Sequence, residues 1–191
     1  MKWFPEYNFI LASKSPRRQQ LLKSLGIDFS VRLKEVEEVY PENLTKEEIP
    51  VYLAELKAKP FKNELAKNDL LITADTVVCL EEHVLEKPAS FEEGFEMLQS
   101  LSGKQHQVIT GVCLSSQNKT KSFYALTNVV FKKLTPDEIN YYIHAFRPFD
   151  KAGAYGIQEW IGSIGITSIE GSFYNVMGLP VQKLYENIQR F

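Results

Sequence analysis

Two polar segments interrupt apolar runs in this chain, and both carry side chains suited to phosphate chemistry. The first is Ser13-Lys14-Ser15-Pro16-Arg17-Arg18, between the apolar stretch Asn8–Ala12 and the leucines Leu21, Leu22 and Leu25. Ser15 suits a helix N-cap and Pro16 the first helical turn. A helix N-terminus presents unpaired backbone N–H groups and the positive end of the helix dipole, which favours an anion. Arg17 and Arg18 would add forked donors for phosphate oxygens. The same residues also suit a well-capped surface helix with two solvated arginines. The second segment is Thr73-Ala74-Asp75-Thr76-Val77-Val78. An aspartate inside an apolar strand is costly unless something pairs with it. A metal ion or a role as a base would justify the cost, and so would a strand-end turn in which Asp75 accepts backbone N–H groups.

Around these two lie Glu35, Glu37 and Glu38, then Lys57 and Lys59, then Glu86-Lys87-Pro88. Any one of these charges alone reads as a solvated surface group. Jointly they match a triphosphate with a divalent ion, which needs carboxylates for the metal and cations for the phosphates. A further segment, Asp150-Lys151-Ala152-Gly153-Ala154-Tyr155-Gly156-Ile157-Gln158, is rich in small residues that permit close backbone approach or a tight turn. Gly171–Pro180 reads as a loop leading into a helix. Gly103-Lys104 is not a P-loop, because the glycine spacing and the following Ser or Thr are missing. No G-x-S-x-G elbow occurs. Ser116 to Lys119 matches S-x-x-K, but within a polar turn.

The elements that must position these groups alternate between strand and helix patterns, which argues for an α/β class. Strands are expected at Asn8–Ala12, Phe29–Leu33, Leu70–Leu80, Gln107–Ser115 and Lys121–Phe131, with SSQNKT as a hairpin turn. Ile161–Ile169 reads as a strand or a bent strand pair. Helices are expected from Pro16 to Leu25, ended by Gly26, and from Lys46 to about Leu65, with Tyr52, Leu53, Leu56 and Phe61 on its apolar face. Further helices are expected over Phe91–Leu101, from the Thr135-Pro136-Asp137-Glu138 start to Phe146, and after Leu179-Pro180 to Gln189. Hairpin and crossover signals both occur, so the sheet should be mixed.

The 191 residues suit one domain or two small lobes, and 44% hydrophobic with 24% charged residues is ordinary globular composition. A formal net charge of -2 does not supply the basic face of a duplex-binding protein, so no nucleic-acid partner is expected. Cys79 and Cys113 sit in apolar runs and read as small buried hydrophobes rather than a disulfide framework. His83, His106 and His144 lack zinc-ligand spacing. The opening MKWFPEYNFILAS is interrupted by Pro and Glu and does not read as a signal peptide. No run reaches the about 18 apolar residues of a membrane span, so the expected compartment is the cytoplasm.

Taken in order, LASKSPRR, LITADTVV, LEKP, DKAGAYGIQ and YNVMGLP resemble the motifs of the Maf family of nucleotide pyrophosphatases over nearly the whole chain. The resemblance implies a single Maf-like domain over 1–191. Its fold would be an elongated mixed α/β sheet with flanking helices, two lobes around a cleft, as in inosine triphosphate pyrophosphatases. It also implies a homodimer and a divalent cation, Mg²⁺ or Mn²⁺, assisting hydrolysis of a nucleoside triphosphate to the monophosphate and diphosphate. Asp75 corresponds to the proton acceptor. Lys57, Lys87 and Glu38 match catalytic cleft residues, and Glu38 and Asp75 would hold the metal. Ser13, Arg17, Arg18, Thr76 and Gln158 match positions for substrate binding and choice. Gln158 resembles the branch that hydrolyses dTTP and UTP, where a guanine-directed branch carries Glu. The chemistry agrees: uracil and thymine present an acceptor O4 beside a donor N3–H, which an amide matches with both ends, although a flipped amide could read cytosine. Modified pyrimidine nucleotides are a further expected substrate, and a non-catalytic nucleotide-binding regulator of cell division is the alternative. Two features depart from the family pattern. Lys14 stands where a small or neutral residue is usual, and Glu159-Trp160 follows Gln158 where the branch has a glycine. Trp160 would fill the core or stack on a base.

Overall fold

A computed structural model describes residues 4–191; of the opening segment read against a leader, residues 1–3 lie outside the described residues. Seven strands form one mixed sheet: β1 (Asn8–Leu11), β2 (Phe29–Val31), β3 (Asp69–Leu80), β4 (His83–Leu85), β5 (Gln105–Ser115), β6 (Thr120–Phe131) and β7 (Ile166–Glu170). Their order is β2-β1-β3-β5-β6-β7, with β4 paired to β3. The helices are α1 (Pro16–Ser24), α2 (Glu48–Ala58), α3 (Phe91–Leu101), α4 (Pro136–Phe146), α5 (Trp160–Gly165), α6 (Phe173–Val176) and α7 (Val181–Gln189). The α/β class with a mixed sheet is therefore as expected. β1 runs parallel to both β2 and β3, while β4 is antiparallel to β3 and β7 to β6. Among the described residues no helix is long and apolar enough to cross a membrane.

The chain forms two compact units. Of the described residues, the first comprises 4–75, 110–125 and 178–191, and the second 76–109 and 126–177. Each has its own core. In the first unit Ile10 and Leu71 pack with Ala54, Phe61, Leu65 and Cys113. In the second, Leu98, Phe131, Tyr142, Ile143, Tyr155 and Ile161 form the centre. Each fully buried Leu, Ile or Phe contributes about 1.5–3 kcal/mol relative to exposure. Both cysteines are buried thiols, and burial raises the Cys113 thiol above its ordinary range.

Local chemistry sets most element ends. Ser15 caps α1 by accepting from Arg18 N at 3.4 Å, Pro16 opens the helix, and Gly26 follows its end at φ 72°, a conformation glycine adopts without strain. Thr135 and Glu138 form a reciprocal capping box on α4. Two expectations need correction. The long helix stops at Ala58 and becomes a 3-10 turn over Lys59–Phe61, because Pro60 disfavours helix at the residue before it and removes a donor. Its buried face is Ile49, Pro50, Leu53, Ala54 and Ala58, with Tyr52 and Leu56 only half-buried. The run Ile161–Ile169 begins as helix, and only Ile166–Glu170 is a strand. A short apolar run does not distinguish a buried helix from a strand. Gly162 decides it here: a Cβ on it would stand 1.9 Å from Ile157 O, so only glycine lets α5 turn back onto that carbonyl.

A second glycine sets the placement of α2. A Cβ on Gly111 of β5 would meet Pro50 C and O at 2.3 Å, both rigid backbone atoms at the start of α2. Gly111→Ala must push that helix off the sheet, at a cost of about 3 kcal/mol by the usual penalty of overpacking. A urea midpoint equal to the wild type's would refute this close approach.

Candidate active site

The parallel strands β2 and β1 end at Val31 and Leu11, beside the first half of β3 in the first unit. Open α/β sheets bind ligands beyond such ends. β1 pairs with β3 up to Leu11 opposite Ile72, and Ala12 N still donates to Ile72 O at 3.0 Å. The chain then leaves β1 through Ser13 to Ser15 into α1, while β3 continues through Asp75 to Leu80. Ser13 is buried, and its hydroxyl accepts from Ser15 N at 3.2 Å, which closes the turn before the helix. Arg17 is half-buried on the first turn of α1. Lys14 lies 3.8 Å from Glu35, with both side chains largely exposed.

Thr73 and Asp75 are two residues apart in β3 and so point to the same face. The Thr73 hydroxyl donates to Ala54 O of α2 at 2.6 Å, which ties that helix to the strand. Lys57, one turn further along α2, then reaches Asp75. Its Nζ stands 2.5 Å from Asp75 Oδ1 and 3.0 Å from Glu38 Oε2. Asp75 is 8% exposed, so its carboxylate sits in a largely dry setting with a cation beside it. Glu38, on the irregular segment after β2, is more open. Two carboxylates from separate parts of the sequence thus converge on one ammonium group from a third.

Arg18 spends part of its guanidinium fork on backbone. Its Nε donates to Gly178 O at 2.8 Å and its Nη1 to Ala74 O at 2.9 Å. Part of the guanidinium fork therefore holds backbone, including the residue directly before Asp75. Burial lowers the Arg18 pKa from its ordinary value, opposed by the attraction of Asp75; neighbouring Arg17 lowers it further, and Glu38 raises it.

The remaining expected residues belong to the second unit. Thr76 follows Asp75 and is half-buried, Lys87 is exposed between β4 and α3, and Gln158 is exposed just before α5. The segment before Gln158 is tightly folded. Gly153, at φ 67°, sits in a 3-10 turn over Ala152–Ala154, and a Cβ on it would stand 2.9 Å from Val78 Cγ1. Tyr155 is buried, and its hydroxyl lies 2.7 Å from His106 Nε2. Burial lowers the His106 pKa to about 4, so the ring is neutral near pH 7. Lys151 is itself buried and pairs with Asp150 at 2.6 Å and Glu159 at 3.2 Å. Trp160 packs edge-on against Tyr141 at 4.8 Å and joins the core, as the core-filling reading expected.

Sequence reasoning missed two groups. Thr73 left a signal, because it shares the period-two face of Asp75. Tyr142 left none: it lies on the apolar stripe of α4, yet its hydroxyl donates to Glu159 and accepts from Gly156 N at 3.0 Å.

The donor set fits a hard divalent cation held jointly with phosphate. Mg²⁺ typically takes one or two protein carboxylates and completes its shell with phosphate oxygens and water. Glu38 and Asp75 already converge on a shared cation, Lys57. Among the described residues no group of three or more His, Cys, Asp or Glu could form a cage without such help.

Fold and site together define an α/β protein with a mixed sheet. It has a capped helix start beyond a parallel strand and, in the same unit, a lysine bridging two carboxylates. The chain belongs to the Maf family, whose model, described as Maf-like protein, matches residues 8–191. A dTTP/UTP pyrophosphatase of Parabacteroides distasonis is 52% identical over 187 residues, covering 97% of each chain. One of Bacteroides thetaiotaomicron is 53% identical over 186 residues, 97% of this chain and 96% of its own. Among solved structures, the Staphylococcus aureus Ham1 protein covers 65% of this chain and 71% of its own at 19% identity and a TM-score of 0.47, a likeness too loose to bear on the site.

Proposed function

We propose that this chain is a nucleoside triphosphate pyrophosphatase that hydrolyses dTTP and UTP to the monophosphate and diphosphate, keeping such nucleotides and modified pyrimidine relatives out of nucleic acid. The observation that carries the reading is Lys57 set between Glu38, on the segment after β2, and Asp75 of β3. Relatives about half identical over nearly their whole length bear that activity in their names. In this reading Asp75 orients or deprotonates the attacking water. Lys57 holds Asp75 in place and offsets charge on the phosphoryl oxygens, so electrostatic stabilisation carries most of the catalysis. Ser13, Arg17 and the start of α1 bind phosphate, with Arg18 bracing the backbone beside them. Lys87 adds a cation, and Thr76 and Gln158 bear on substrate choice. A bound Mg²⁺ or Mn²⁺ would neutralise phosphate charge, and Glu38 and Asp75 are the residues that would hold it. The cation and a homodimer belong to the same proposal and rest on the family resemblance, and a cytoplasmic setting rests on the sequence pattern.

A regulator without turnover is less favoured, since it has no need of a largely buried aspartate paired to a lysine. The test is a panel of normal and modified nucleoside triphosphates with Mg²⁺ or Mn²⁺, scored for diphosphate against orthophosphate. Diphosphate from dTTP and UTP is expected. Orthophosphate as the first product would overturn cleavage between the α- and β-phosphates, and a dominant purine substrate would overturn the pyrimidine assignment.

A further inference from the structure

The turn that presents Gln158 is held by a buried polar network with no part in handling phosphate. Glu159 N donates to Gly156 O at 3.0 Å, which closes the turn Gly156–Glu159 around Gln158. Gly156 N donates to the Tyr142 hydroxyl at 3.0 Å, and that hydroxyl donates in turn to the Glu159 carboxylate. The other Glu159 oxygen lies 3.2 Å from the Nζ of Lys151, which also binds Asp150. Glu159 stands at the N-cap of α5, yet its side chain makes no capping bond there. Its carboxylate is turned instead into this network. Tyr142 is fully buried. Its hydroxyl is held above its ordinary pKa first by burial and then by its bond to Glu159, so it stays protonated and remains a donor.

The network also bears on which way the Gln158 amide faces. A Cβ at Gly156 would meet the Glu159 carboxylate carbon at 2.8 Å, with Glu159 Oε2 and Gln158 Nε2 each at 3.0 Å. The amide nitrogen of Gln158 and the carboxylate of Glu159 therefore lie over the same small patch of backbone at Gly156. A carboxylate accepts hydrogen bonds and repels a carbonyl oxygen, so it favours the N–H end of the amide on its own side and disfavours the flipped amide. A free glutamine reads either pattern, donor beside acceptor or the reverse. One with a fixed face reads only one.

From this we infer that Glu159 and Tyr142 are positioning residues that fix the Gln158 amide and so make the chain discriminate uracil and thymine from cytosine. The inference rests on the reading of the chain as a pyrimidine nucleotide pyrophosphatase. It also gives the departure Glu159-Trp160 a purpose: Glu159 restrains the base-reading amide, and Trp160 anchors α5 in the core behind it.

The test compares kcat/KM for UTP and CTP in the wild type, Glu159→Gln, Tyr142→Phe and the double variant, with melting temperatures alongside. The Gln variant keeps the shape of the side chain and loses its charge, while the Phe variant keeps the ring and loses the hydroxyl. The expected result is a UTP-over-CTP preference that falls roughly 10- to 100-fold in either single variant, the scale on which small misplacements act. The double variant should fall no further, because both substitutions break one network. Equal losses on UTP and CTP, with the ratio unchanged, would overturn the positioning role and leave only a structural one. If Glu159→Gln does not fold, Tyr142→Phe decides alone. Failure of the wild type to release diphosphate from UTP would overturn the functional reading and this inference together. UTP turnover with an unaltered preference in folded variants would overturn this inference only.

Discussion

Asp75→Asn should lower kcat on dTTP and UTP by about 10²- to 10⁴-fold, the range that general acid–base groups supply, while the protein still folds. Asparagine has the shape of aspartate, so β3 and its pairing to β1 need not change. What is lost is the negative charge 2.5 Å from Lys57 Nζ. An amide oxygen is a poor base, and it attracts the ammonium far less than a carboxylate does. The position makes the effect large. Asp75 is 8% exposed, and in such a setting a charge acts at lower effective dielectric than in water. The measurement is steady-state turnover with the melting temperature recorded in parallel. Wild-type turnover in the folded variant would remove Asp75 from the chemistry and with it the central assignment of the site.

Much of this site was legible because its cost is visible in the sequence. A charged residue inside an apolar strand demands a partner, and Asp75 has one in Lys57. The Ser15-Pro16 start and the Gly26 end of α1 could be read because caps and positive-φ turns depend on local chemistry that each residue carries with it. The cores likewise followed from apolar periodicity, and Cys79 and Cys113 are buried as their neighbours implied. Illegible features depended on contacts and backbone turns that no residue's own type reports. The helical start of Ile161–Ile169 depends on Gly162 meeting Ile157 O, and no apolar pattern reports that contact. Strand β4 is three residues long and follows Glu81 at φ 56°, an uncommon turn residue in that conformation. Tyr142 looked like one more apolar residue on α4, since periodicity records the ring and not what its hydroxyl meets. Arg18 shows the converse limit. The sequence supplies a cation at a helix start, but only the fold shows that two of its N–H groups hold Ala74 O and Gly178 O.

Lys57→Met should cost as much turnover as the loss of Asp75, and should cost stability as well. Methionine keeps an unbranched apolar stem on α2 but removes the ammonium that Asp75 and Glu38 share. The two carboxylates are then left close together with no cation between them. Breaking a buried pair by removing one partner costs about 3–5 kcal/mol. The loss here should be smaller, because Glu38 is open enough to turn into water. Asp75 has less freedom, and the water-activating role proposed for it depends on the arrangement Lys57 holds. A double variant, Lys57→Met with Asp75→Asn, separates the two effects. If the residues act as a unit, the double variant should turn over no more slowly than either single one, since effects within a catalytic unit are strongly non-additive. It should also recover part of the stability lost in Lys57→Met, because the unpaired charge at position 75 is gone. Losses in kcat that simply multiply would show that Lys57 and Asp75 act independently, against the shared-ammonium geometry on which the proposed mechanism rests.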